Sequence, residues 1–162
     1  MIKDLTKEEC LNILKNNYVG RLGYISKKSP YIIPITYFYY NHASNSIICY
    51  SGEGHKIEAM RKNHAVSLEV DEIKSVNSWR SILVHGKFEE LHGIDAKHLL
   101  HEFTQGVVKI INQEGKVHPH FISEFSNRLH LEKVAVVYRI KILEVTGKKR
   151  ESKNSPKIVK RK

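Results

Sequence analysis

Apolar and polar positions change period several times along this chain, and each change marks an element. Thr6-Lys7-Glu8-Glu9 places a carboxylate three residues after a hydroxyl, the pattern of a capping box. Cys10, Leu11, Ile13 and Leu14 then form one apolar stripe, predicting a first helix that ends near Asn16-Asn17. Tyr18 to Ile25 alternates in part and contains Gly20 and Gly23, as in a strand held close to a neighbour. Lys27-Lys28-Ser29-Pro30 is a turn, and Tyr31 to Tyr40, rich in β-branched and aromatic residues, is the most strand-like segment. Pro34 interrupts that segment. A residue with no N–H belongs at a sheet edge, at a bulge, or where a ligand replaces the partner strand.

Asn41 to Ser46 reads as a hairpin loop leading to a strand over Ile47 to Tyr50. After a loop from Ser51 to Lys56 the period becomes helical over Ile57 to Arg61, and Ala65 to Val70 and Trp79 to Leu91 return to strand. In the second of these, Ile82, Val84 and Gly86 share one face. Ile94 to Ile111 predicts one or two helices with Leu99, Leu100 and Phe103 in the core. Asn112 to His120 is a loop, Phe121 to Leu131 is ambiguous, and Val134 to Val145 is a last strand ended by Gly147. About six short strands, antiparallel through hairpin loops, with helices at the start, after the third strand and before the last, predict a mainly β fold. The expected form is a small closed or partly closed barrel with flanking helices.

Composition narrows this picture only in places. A chain of 162 residues is long enough for one domain with a real core, here residues 1–150. The net charge of +10 is concentrated at the end, where Lys148-Lys149-Arg150 and Lys153 to Lys162 form a basic tail expected to be disordered over 151–162. Removing the tail leaves a mildly basic body with no motif that reads nucleic acid, so no specific nucleic-acid partner is expected. No apolar run is long enough to span a bilayer, and Met1 to Leu5 has no apolar signal core. The expectation is a cytoplasmic protein without a membrane partner. Cys10 and Cys49 lack metal-ligand spacing and are expected as buried free thiols.

The candidate chemistry lies at Ser51-Gly52-Glu53-Gly54-His55-Lys56, where a strand breaks at two glycines and restarts as a helix. Such a turn collects free backbone N–H groups, the Ser51 hydroxyl and the His55 and Lys56 side chains around one point suited to a phosphate. It is not a Walker A loop, whose Lys-Ser/Thr pair follows a longer glycine frame.

Five segments in this order carry a resemblance. They are Val19-Gly20-Arg21-Leu22-Gly23, Pro30 to Tyr37, Ser51 to Lys56, Asn63 to Val70, and Trp79 to Gly86, with Thr146-Gly147-Lys148 closing the last strand. Together they resemble the pyridoxamine-phosphate-oxidase-like FMN-binding split barrels, and within them the 5-nitroimidazole-resistance group, over residues 5 to 150. The resemblance implies a six-stranded split barrel that forms a homodimer with FMN in a groove between subunits. It implies an oxidoreductase acting on a small-molecule substrate. Pro34, Ile35, Thr36 and Tyr37 would run beside the flavin ring, Ser51, His55 and Lys56 would hold its phosphate, and Trp79 and Ser81 would approach the flavin. The departure from the pattern is Tyr50, where many nitroimidazole-resistance relatives carry histidine, and this puts nitro-drug reduction in question more than FMN binding.

The residues themselves leave other roles open. Lys56 can be a solvated helix-start lysine, His55 a flanking residue, Trp79 a core side chain, and Thr36 and Ser81 outward strand positions. Tyr37, Tyr39 and Tyr40 suit the packing of a barrel or dimer face. Related split barrels also bind haem, for which His92, His98, His101, His118 and His120 are axial candidates. A non-enzymatic role is the third alternative, either a flavin-storing or sensing module or a nucleic-acid-associated protein using the basic tail.

Overall fold

The computed structural model describes residues 1–42, 45–113 and 136–151. The elements in chain order are β1 (Ile2–Asp4), α1 (Lys7–Asn16), β2 (Val19–Ser26), β3 (Ser29–Thr36), β4 (Phe38–Tyr40), β5 (Ser46–Ser51), α2 (His55–Lys62), β6 (Ala65–Ser75), β7 (Ser78–Glu90), α3 (Gly93–Gln113) and β8 (Val136–Arg150). The expected loop at Asn112 to His120, the Phe121 to Leu131 segment, His118, His120 and the tail from 152 lie wholly or mostly outside the described residues.

The fold is mainly β, as the alternation predicts, but the described residues form eight strands rather than six. All described pairings are antiparallel in one sheet of order β3-β2-β6-β7-β8-β5-β4, and β1 pairs with the end of β8. One added strand is the three-residue β1. The other arises because Tyr31 to Tyr40 divides in two, and it divides at Tyr37 rather than at Pro34. β3 and β4 are the opposite edges of the sheet, yet one residue joins them. The sheet must therefore curl until those edges approach, and no ladder joins them among the described residues. This is a split barrel, open along one seam.

Tyr37 is wholly buried at that junction. Its N–H donates to the Tyr18 carbonyl at 2.8 Å and its hydroxyl to the Leu14 carbonyl at 3.0 Å. Leu22, Tyr24, Ile47, Cys49, Leu68, Val84 and Tyr138 fill the barrel together with Cys10, Ile13 and Leu14 of α1, because alternate strand positions face inward. A second cluster seats α3 on the outside of β5 and β8, through Phe103, Val107 and Ile111 against Ile48 and Val137. Cys10 and Cys49 are both buried free thiols. Among the described residues no helix is long and apolar enough to cross a membrane.

The capping box forms as read: Thr6 N–H donates to Glu9 Oε2 at 2.8 Å and Glu9 N–H to Thr6 Oγ1 at 3.2 Å. Several boundaries differ from the sequence reading, among them the start of β3 at Ser29 rather than Tyr31 and the end of β6 at Ser75 rather than Val70. Gly147 does not end β8, which continues to Arg150, so Lys148, Lys149 and Arg150 belong to the sheet rather than to the tail. Glycine stands at 147 for packing: a Cβ there would lie 2.8 Å from Leu5 Cδ1 and 2.9 Å from Cys10 Sγ. The second helix begins at His55, two residues earlier than its apolar stripe, which puts His55 and Lys56 in its first turn.

Candidate functional site

β5 delivers Ser51 to the rim of the barrel, and the chain turns there through Gly52, Glu53 and Gly54 into α2. Ile57, Ala59 and Met60 are buried and fasten the helix to the barrel, which fixes the direction of its first turn. The N-cap is Gly54, at φ 159° and ψ −174°, and no side chain caps the helix. Its leading N–H groups therefore remain for water or a ligand. The Ser51 hydroxyl donates to the Gly52 carbonyl at 2.9 Å and keeps its lone pairs on the rim.

Lys56 is half-buried in this first turn. Burial lowers its pKa, with an opposing contribution from the nearby Cys49 thiol, and it forms no ion pair among the described residues. A partly desolvated cation near the positive end of a helix is unfavourable unless an anion joins it.

His55 is held by the β2–β3 hairpin. The hydroxyl of Tyr24 lies 3.2 Å from His55 Nδ1. Tyr24 stacks on Tyr31 with centroids 5.3 Å apart, and the His55 ring sits 4.9 Å from Tyr31. Composition and spacing do not single out Tyr24 and Tyr31. The signal available was register: a two-residue turn at Lys27-Lys28 makes residues 24 and 31 cross-strand partners.

The same register defines the free edge. Counting from the Ser26–Ser29 pair, alternate residues of β3 bond back to β2, while Ile32, Pro34 and Thr36 turn their backbone groups outward. Pro34 thus occupies an edge position where no N–H is required, in accordance with the sequence reading. Ile35 faces inward and packs against the core. Tyr37 offers neither its N–H nor its hydroxyl to a ligand, since both are engaged within the fold.

On the outer face of the sheet, Arg21 lies opposite Pro34 on one side and Glu69 on the other. Arg21 bonds Asp71 at 2.9 Å, and the Ser81 hydroxyl donates to Glu69 at 2.8 Å. Pro34, Thr36 and Ser81 therefore share one surface, linked by Arg21. Trp79 stands half-exposed further along β7, paired with Ile73 and Arg150. The predicted residues thus form two groups, Ser51, His55 and Lys56 at the rim and Pro34, Thr36 and Ser81 on the outer face. Tyr50 places its ring edge-on to Phe103 at 5.3 Å, so this position is built into the α3 contact.

A second feature, unread in the sequence, adjoins the turn. Arg61 in the last turn of α2 binds the Glu53 carboxylate through both terminal nitrogens at 2.9 and 2.7 Å. It binds Glu90 through Nε and Nη2, both at 2.7 Å. Among the described residues no group of three or more His, Cys, Asp or Glu side chains is arranged to hold a metal.

The barrel is split at one seam and carries an uncapped strand-to-helix turn on its rim. The model of the pyridoxamine 5'-phosphate oxidase family matches residues 6–149, and the chain belongs to that family. It is similar to a FAD-binding protein from Mesorhizobium loti, with 29% identity, a TM-score of 0.72, and coverage of 94% of this chain and 98% of that one. A candidate 5-nitroimidazole antibiotic resistance protein from Bacteroides thetaiotaomicron shares the fold at 19% identity and a TM-score of 0.57, over 91% and 88% of the two chains. An uncharacterized protein of Rhizobium meliloti is 35% identical over 97 residues, 60% of this chain and 62% of that protein.

Proposed function

We propose that this protein binds a flavin by its phosphate at the β5–α2 turn and is an oxidoreductase acting on a small acceptor. The observation that carries the reading is Lys56: half-buried, without a carboxylate partner among the described residues, in the first turn of an uncapped helix. Ser51 would turn its hydroxyl from the Gly52 carbonyl to donate to the phosphate, Lys56 would supply the charge, and His55, steadied by Tyr24 and Tyr31, would form one wall. The outward backbone of β3 at Pro34 and Thr36 suits the polar edge of the ring, and Ser81 lies on the same face. The bound flavin would supply the electron transfer, and these residues would orient it and exclude water.

We further propose that the site is completed in a homodimer. The outer sheet face exposes Val19, Ile25, Ile32 and Leu83 beside Leu143, which is 68% exposed, and Ile32 is 74% exposed. Apolar strand residues of this kind around an Arg21–Asp71–Glu69 centre suit a second copy of the chain. FMN is the proposed flavin because, among the described residues, Ser51, His55 and Lys56 gather at a single strand-to-helix turn. The visible spectrum of the purified protein, with the mass of the released cofactor, tests the reading. Flavin bands with an FMN mass support it, an FAD mass redirects it to the dinucleotide, and a colourless protein that takes up neither overturns it.

A further inference from the structure

We infer that Arg61, clamped between Glu53 and Glu90, is a positioning residue that sets the shape of the phosphate turn. This inference rests on the phosphate reading above. Glu53 lies between Gly52 and Gly54, and a side chain at either glycine would meet nothing within 4 Å. Two unpacked glycines leave that turn many conformations, and disposing its N–H groups toward one anion requires that most of them be removed.

The guanidinium supplies the restraint. One carboxylate comes from the turn itself and the other from the end of β7, which the sheet holds rigid. Both are gripped through two nitrogens of one planar fork, so distance and orientation are fixed together. Arg61 is carried by α2, whose opposite end bears His55 and Lys56. The clamp therefore ties together the strand, the helix and the turn that meet at the site.

A stability role alone accounts poorly for this arrangement. The three side chains are 39%, 49% and 20% exposed, a range in which ion pairs add little to global stability. What a doubly bidentate pair still provides at the surface is geometry. Neither Glu53 nor Glu90 needs to touch the ligand for this role.

The test compares flavins with and without a phosphate. Fluorescence titrations of FMN and riboflavin are run on flavin-stripped full-length protein as wild type, Arg61→Lys, Arg61→Ala and Glu90→Gln, with circular dichroism and thermal melting alongside. Wild type is expected to prefer FMN over riboflavin. Each variant should weaken FMN by about tenfold while riboflavin stays within about twofold. Arg61→Lys should behave like Arg61→Ala, because lysine keeps the charge and loses the fork. Equal weakening of both flavins, or weakening of neither, would overturn the inference. A wild type that binds riboflavin as tightly as FMN would remove the phosphate reading itself, and the clamp's role with it.

Discussion

The Tyr37 hydroxyl donates to the Leu14 carbonyl at 3.0 Å, tying the one residue that joins the two edges of the sheet to the last turn of α1. The bond is buried, so neither partner has water as a substitute. Tyr37→Phe should cost about 1–2 kcal/mol in urea denaturation, since the Leu14 carbonyl loses its donor. Burial raises the Tyr37 pKa well above that of an exposed phenol. The unfolded chain releases this proton above about pH 10 while the folded chain retains it, so stability should fall as pH rises beyond 10. The Phe variant should show a shallower fall over the same range.

Lys56 should be required by the ligand and dispensable to the fold. Lys56→Met keeps the apolar stem and removes the desolvated charge. FMN affinity should drop by about ten- to a hundredfold, as for loss of a charge-assisted contact. The melting temperature of the flavin-free protein should hold or rise. A variant that melts early and binds FMN normally would assign Lys56 to structure instead.

Glu9 joins three parts of the chain. It closes the cap on Thr6 through one oxygen and accepts from Lys149 Nζ at 2.6 Å through the other. The Lys149 bond, followed by the Thr6 N–H, lowers the pKa of this carboxyl below its ordinary value. A lowered folded pKa means that the contribution is present above the unfolded value, near 4.5, and is lost as pH falls through the folded one. Wild type and Glu9→Gln should therefore differ in stability at pH 7 and converge at the acid end, as measured by denaturant unfolding across pH.

Gly147 has no room for a side chain. Gly147→Ala would press a methyl against Leu5, Cys10 and the Ile82 Cγ2 at 3.0 Å. The expected cost is about 1–3 kcal/mol, seen as a lowered denaturation midpoint with an unchanged slope.

The sequence and the structure agree most closely where the causes are local. The Thr6–Glu9 cap, the turn at Lys27-Lys28, the edge position of Pro34 and the strand-to-helix break at Ser51–Lys56 depend on residues a few positions apart. Disagreement arises where a distant partner decides. Gly147 looks like a terminator by composition, but Leu5 and Cys10 approaching from β1 and α1 make it a packing glycine inside a continuing strand. Pro34 looks like the break in its segment, yet the break falls at Tyr37, because the hydrogen bonds that turn the chain come from Tyr18 and Leu14.

By itself the sequence determined the mainly β character, the antiparallel hairpins, the first helix and the strand-to-helix turn at Ser51–Lys56, because period, caps and turn chemistry act over a few residues. Only the tertiary structure decided which strands neighbour one another, that opposite sheet edges meet at Tyr37, that His55 rests on Tyr24 and Tyr31, and that Arg61 gathers Glu53 and Glu90. Those relationships join positions that are close only once the sheet has curled, when the burial of many side chains at once selects one pairing among several that local pattern permits equally well.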